Sequence, residues 1–175
     1  MTGKKINLRG QAALEFLTTY GWAFLLILIM IGTLAYFGIL SPGKLLPNRC
    51  NMGSEFQCVD FQIDATANGF KLKLKSNVGE PITVSKITLS SESTTPYTCT
   101  DPPTASPTTW TAGTGIVNWA TGKTEDITWT GCNSAAAGVV KDQKTKVQVA
   151  ISYYTVSSGS GYTKQVSGEV FATAQ

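Results

Sequence analysis

Residues 16–40 form the longest uncharged, mostly apolar segment of the chain, FLTTYGWAFLLILIMIGTLAYFGIL. A helix of this length extends about 38 Å, which exceeds the ~30 Å hydrocarbon core of a bilayer. A single segment inside a bilayer satisfies all of its backbone hydrogen-bonding groups only as a helix. The pattern therefore predicts a membrane-competent helix over residues 16–40, which ends before Pro42.

After this helix, the apolar residues change to a period of two, which indicates β-strands. The first apolar phase runs from Val59 to Ile63, and a second covers residues 70–74 with three lysines on the alternate, solvent-facing positions. Asn68-Gly69 lies between them and is a favourable hairpin turn, because both residues tolerate positive φ. The sequence therefore predicts a hairpin with Val59 on its apolar face.

Further strands are predicted along the rest of the chain. A third strand follows Pro81, and its change of phase near Ser85-Lys86 indicates a β-bulge. Residues 91–115 are rich in Ser, Thr and Pro, and we expect them to form an exposed loop. The remaining strands are predicted at residues 127–129, 147–153 and 162–172, with a turn at 157–161.

These elements predict an α+β fold class. We expect a long N-terminal hydrophobic α-helix followed by an all-β, immunoglobulin-like β-sandwich head of six or seven short strands. The predicted organisation is a leader over residues 1–10, the helix over 11–41, a neck over 42–49 and an extracellular β-sandwich domain over 50–175.

The charge distribution sets the orientation of the helix. The net charge is +3, and Lys4, Lys5 and Arg9 account for it, since the other 11 basic side chains balance 11 acidic ones. Basic residues before an apolar segment keep that end cytoplasmic, so the domain after the helix is expected outside the cell. No basic cluster suggests nucleic acid as a partner.

Four cysteines lie on the side expected to be extracellular. An even number there indicates two disulfides, which allow three connectivities. We favour Cys50–Cys58 and Cys99–Cys132, which would close a short loop after the helix and tie down the long Thr/Pro-rich segment. A zinc site is the alternative, but the chain has no CxxC pair to supply the usual ligand spacing.

Little in the sequence indicates catalysis. The chain has no histidine, which is the commonest general base and metal ligand. It also contains no nucleophile-elbow, metalloprotease, phosphate-loop, dinucleotide or calcium-loop motif. We therefore expect a protein that is not an enzyme and needs neither a cofactor nor a metal.

Residues 9–40, RGQAALEFLTTYGWAFLLILIMIGTLAYFGIL, resemble the N-terminus of an archaeal type IV pilin precursor with a class III signal peptide. The resemblance implies cleavage between Gly10 and Gln11, with the hydrophobic helix retained. Glu15 then becomes the fifth residue of the mature chain and matches the acid of that family. Gln11 and the helix-ending 41–43 segment depart from bacterial type IV pilins and favour the archaeal branch.

The resemblance implies a structural subunit of an archaeal type IV pilus-like surface filament that serves adhesion, attachment or motility. Its expected partners are other copies of itself in a helical homopolymer, a class III signal peptidase, an assembly ATPase, a platform membrane protein and, before assembly, the membrane. Gly21, Gly32 and Gly38 would allow close helix contact. Glu15 would neutralise the new α-amine of a neighbouring subunit, or it would only stabilise the helix dipole in the first turn.

Two other interpretations remain open at this stage. The chain would be a non-polymerising, membrane-anchored extracellular binding module or a minor pilin if Trp110, Trp119 and Trp129 formed a ligand-stacking surface. An archaellum filament protein shares the same leader organisation.

Overall fold

A computed structural model describes residues 8–37, 46–111 and 114–175. The chain divides into two compact units, Met1–Leu45 and Leu46–Gln175. The first contains helix α1, and the second, which we name the head, contains the β-strands. Among the sequence predictions, most of the leader, Gly38 and the helix stop at residues 41–43 lie outside the described residues.

Helix α1 spans Leu8–Tyr36, a length of 29 residues. Its Leu, Met and Ala residues favour helix, and proline is absent from the segment. The hydroxyl of Thr19 donates to the backbone carbonyl of Glu15 at 2.8 Å, and that of Thr33 donates to Met30 at 2.8 Å. These polar groups are therefore satisfied without water.

The head contains nine described strands, all paired antiparallel, in two sheets. Sheet A has the order β1-β9-β8-β4-β6, and sheet B has the order β2-β3-β7-β5. One apolar helix and a largely β body confirm the α+β class. The strands are β1 (Arg49–Asn51), β2 (Phe56–Asp64), β3 (Gly69–Ser76), β4 (Ile82–Ser91), β5 (Thr100–Ser106), β6 (Ile116–Trp119), β7 (Thr124–Thr130), β8 (Lys144–Thr155) and β9 (Lys164–Thr173).

The predicted hairpin is β2–β3, in which Ile63 pairs with Phe70. Asn68 has a φ of 50°, as its turn position requires. The prediction for Val59 is wrong, because this side chain is 51% exposed. The pairing register shifts between Cys58 and Asp60, and this bulge turns Val59 out of the apolar phase.

The bulge predicted in β4 is confirmed. The register of β4 against β8 shifts between Val84 and Lys86. The extra residue lets Val84 and Ile87 both point into the core, although three positions separate them. A regular strand would have placed one of them on the solvent face, since side chains alternate.

The expectation of one exposed loop over residues 91–115 is wrong in part. Tyr97 is fully buried, and residues 100–106 form β5 against β7. β5 is the outer strand of sheet B, where prolines are tolerated because one side of the strand needs no ladder hydrogen bond. Strands β1 and β6 were also not predicted, since three and four residues carry too little periodicity.

The two sheets share one hydrophobic core. Phe56 of β2 in sheet B lies 5.5 Å, between ring centroids, from both Trp119 and Tyr153 in sheet A. Phe70 packs against Trp129 at 5.4 Å within sheet B. All but Tyr153 of these rings are at most 1% exposed, so the aromatic core fixes how the sheets meet.

Candidate functional site

Helix α1 exposes apolar side chains on every side. Residues 14–36 are long and apolar enough to cross a membrane, by length and composition. Fifteen large hydrophobic side chains between Leu14 and Phe37 are 42–87% exposed within the protein. A helix that is apolar all round requires a surrounding of protein or lipid. The surface of α1 is therefore the first candidate site.

Glu15 is the acidic residue of this surface. It lies seven residues after Leu8, the first residue of α1, and the first turn of the helix contains no acidic residue. In the full chain Glu15 therefore lies beyond the first turn of α1, where the dipole effect has faded. The ion pairs in the described part of the chain all lie in the head, so none of them engages Glu15.

The helical repeat sorts the remaining predicted residues onto two faces. At about 100° per residue, Thr19, Trp22 and Thr33 lie within about 40° of Glu15 around the axis. Gly21 and Gly32 lie about 100–120° away from it and share a face of their own. A Cβ added to either glycine would meet no atom within 4 Å. A second helix therefore has room to approach this glycine face closely.

The predicted cleavage position lies inside the helix. Gly10 and Gln11 both belong to α1, which runs without a break from Leu8.

The structure pairs the cysteines in the connectivity that the sequence favours. Cys50 is bonded to Cys58, and Cys99 is bonded to Cys132. The first bond joins β1 at the edge of sheet A to β2 at the edge of sheet B. The second joins the segment before β5 to the segment after β7. Such bonds are typical of proteins from oxidising, extracellular surroundings.

A chain of ion pairs crosses the outer face of sheet A. Arg49 contacts Glu169 at 3.2 Å, Lys146 contacts Glu169 at 3.1 Å, and Lys146 contacts Glu92 at 2.8 Å. Lys146 donates hydrogen bonds to Glu92 and Glu169. The bond to Glu92 has the larger effect, and both raise the pKa of Lys146 above its ordinary value. The same bond to Lys146 lowers the pKa of Glu92.

The same region fixes the start of the head. The Oδ1 atom of Asn48 accepts hydrogen bonds from the backbone N–H of Thr173, at 3.2 Å, and from the ammonium group of Lys144. Arg49 and Lys144 both lie over the ring of Phe171, at 5.5 and 5.8 Å from its centroid. These contacts were not predicted, because they depend on the pairing of β1 with β9, which are more than 110 residues apart in the chain.

The three loop tryptophans do not form a stacking surface. Trp119 and Trp129 are each 1% exposed, and only Trp110 is half-buried. The indole N–H of Trp119 donates to the carbonyl of Lys123 at 3.0 Å, so its polar group is also satisfied within the core. These residues stabilise the head.

Two shallow grooves lie along strands of the two sheets. The groove on sheet A has a volume of about 440 Å³ and includes Asn51, Gln148 and Glu169. The groove on sheet B has about 340 Å³ and includes Lys73, which pairs with Asp126 at 3.2 Å. Across the residues that the structure describes, no three metal-ligating side chains cluster. Both grooves offer hydrogen-bonding and charged groups without a nucleophile–base pair.

Neither a protein-family model nor a curated protein sequence matches this chain.

Proposed function

We propose that this chain is the structural subunit of an archaeal type IV pilus-like surface filament. A class III signal peptidase would cut between Gly10 and Gln11 while the helix lies in the membrane. An assembly ATPase and a platform membrane protein would then move the subunit into a polymer. Helix α1 forms the filament core in this proposal, and the head forms its outer surface.

The observation that carries the proposal is the uncovered apolar surface of α1. Burial of a large apolar side chain gains about 1.5–3 kcal/mol, so fifteen of them represent on the order of 20 kcal/mol or more. Such a helix needs lipid or other helices around it. In this proposal lipid surrounds it before assembly, and other helices surround it in the filament.

Glu15 supplies the preference for helices over lipid. Lipid tails and packed helices are similarly apolar, so close packing and polar contacts decide between them. A carboxylate near the membrane interior is costly unless it meets a cation or another polar group. The α-amine of Gln11, freed by cleavage on a neighbouring subunit, is the cation that this proposal assigns to Glu15.

The strand order of the head supports an immunoglobulin-like sandwich. If β2, β3, β4, β5, β7, β8 and β9 are labelled A to G, one sheet has the order A-B-E-D and the other contains C-F-G. This is the constant-type immunoglobulin order. Strand β1 then extends the sheet beyond G, and β6 extends it beyond C.

A single interface type is sufficient for such a polymer. A head-to-tail contact that does not close into a ring generates an open helical array. The glycine face and the Glu15 face of α1 lie at different angles around the helix, so one helix can contact two neighbours through different surfaces. A membrane-anchored binding module has less support, since the tryptophans proposed as its ligand surface are largely in the core.

The test is filament formation by variants of the helix. Glu15→Gln removes the charge and keeps the size of the side chain, and we expect sheared surface fractions viewed by electron microscopy to contain at least about tenfold fewer filaments. Thr33→Val is the matched control, because it alters a polar residue on the same face without removing charge. Filaments of Glu15→Gln at wild-type abundance would show that the pairing role is wrong.

A further inference from the structure

The chain passes into the head through a weak element. Strand β1 pairs with β9 at only three positions, Arg49 to Asn51. If α1 is fixed in a membrane or a filament, tension between the helix and the head crosses this segment, because it is the covalent connection between the two units. A three-residue strand at a sheet edge would peel readily if nothing else held it.

Side chains reinforce the first residues of the head. Asn48 accepts the N–H of Thr173 and the ammonium group of Lys144, which attaches it to the ends of β9 and β8. Arg49 adds an ion pair with Glu169. Tension that enters at residue 46 meets the contacts of Asn48 before it reaches the backbone pairs of β1, the first of which is reinforced by the Arg49 ion pair.

The disulfide after these contacts connects the two sheets. Cys50 belongs to β1 of sheet A, and Cys58 belongs to β2 of sheet B. Strand β2 pairs with β3 at eight positions, compared with three for β1. Tension that reaches Cys50 can therefore pass through the sulfur atoms to a strand that is held much more extensively.

The residues between the two cysteines are then protected from tension. They include Met52 and Phe56, which are both 1% exposed in the shared core. Without the bond, peeling beyond residue 51 would pull Met52 and then Phe56 out of the core. With the bond, the tension path bypasses both of them.

We propose that β1 and the Cys50–Cys58 bond together form a mechanical stop, so that a pull from the helix peels the head no further than Cys50. The inference rests on the proposed function only in that α1 anchors the head against tension. It concerns a single molecule and does not require polymerisation.

The test is force spectroscopy on the oxidised full chain in detergent micelles. One handle is attached at the N-terminus and the other at Ser160, an exposed turn residue between β8 and β9, through an introduced non-natural side chain. In the wild type, the extension before the main unfolding step should not include residues 51–57. In the double variant Cys50→Ala/Cys58→Ala, these residues should add roughly 25 Å of contour length before that step, and at lower force.

Two further variants keep the test decisive. Cys99→Ala/Cys132→Ala removes the other bond and should leave the first extension step unchanged. Asn48→Ala keeps both disulfides and should shorten the lifetime of that step at constant force about tenfold, since two hydrogen bonds are lost.

The stop is refuted if the Cys50→Ala/Cys58→Ala variant extends at the same force and by the same length as the wild type. An Asn48→Ala lifetime equal to that of the wild type would contradict the reinforcement of this connection by Asn48. A chain that shows the stop and yet forms no filaments on cells would remove the proposed function and leave this inference intact.

Discussion

Helix α1 and the head differ in how far they bury their apolar side chains. The head buries its aromatic residues against one another, and Phe56 alone meets two rings of the opposite sheet. The helix leaves every large hydrophobic side chain that the structure describes in it at least 42% exposed. The head therefore has a buried core of its own, whereas the apolar side chains of α1 are covered only in contact with lipid or other chains.

The largest effect should come from the contact between the sheets. Phe56→Ala removes a fully buried ring and should lower the free energy of unfolding of the head by about 3–5 kcal/mol. Val59→Ala, three residues further along the same strand, should change it by less than about 0.5 kcal/mol, because Val59 is exposed. Urea unfolding of the oxidised chain in detergent measures both. Equal losses would contradict the inward and outward assignment of β2.

The corresponding change in the helix should act on membrane association and not on folding of the head. Ile27→Lys places a charge near the middle of the span and should cost about 2.5–3.5 kcal/mol in insertion. We expect a clear loss of the protein from the carbonate-washed membrane fraction, with unchanged near-UV circular dichroism. Val156→Lys, at an exposed position of the head, is the control. A lysine at residue 27 that leaves membrane recovery intact would argue against a spanning helix.

The effect of replacing a glycine by alanine should depend on the space around that glycine. A Cβ on Gly168 would lie 2.4 Å from the carbonyl oxygen of Asn51 and 2.7 Å from the Cα of Met52. Gly168→Ala should therefore destabilise the head by about 1–3 kcal/mol. Gly161→Ala has open space and should be nearly neutral for the head, as should Gly32→Ala in the helix. Thermal unfolding in detergent compares the three, and a neutral Gly168→Ala would contradict the close approach of the β1–β2 connection.

The smallest effect is the pH dependence of the ion-pair chain. The pKa of Glu92 is lower in the folded protein, so its contribution to stability is present above about pH 4.3 and is lost as the pH falls further. The pKa of Lys146 is higher when folded, so its contribution is present below about pH 10.4 and is lost as the pH rises above that. The stability difference between wild type and Glu92→Gln should thus be constant near neutral pH and shrink in acid. A difference that grows in acid would have the wrong sign.

Local periodicity predicted those parts of the fold in which the burial of each residue follows from its neighbours in the sequence. The β2–β3 turn and the bulge in β4 were accessible because each changes the apolar phase within a few residues. Val59 was misassigned because a bulge next to a half-buried cysteine leaves the pattern looking regular. Strand β5 was missed because its order comes from pairing with β7, about 25 residues away, and not from its own Thr and Pro residues.

The candidate sites divide in the same way. Glu15 and the glycines of α1 stand out in the sequence, since an acid or a small residue in an apolar helix is conspicuous. The contacts of Asn48, Arg49 and Phe171 could not be predicted, because they join the start of the head to its last strand. No local pattern encodes that register.

The most direct test of the central claim is the intact mass and N-terminal sequence of the protein in sheared surface material. The account predicts a chain that begins at Gln11, retains the helix and carries two disulfides. A chain that still begins at Met1 would indicate an unprocessed membrane anchor. A chain that begins beyond Leu40 would mean that the helix is discarded, and either result would contradict assembly through α1.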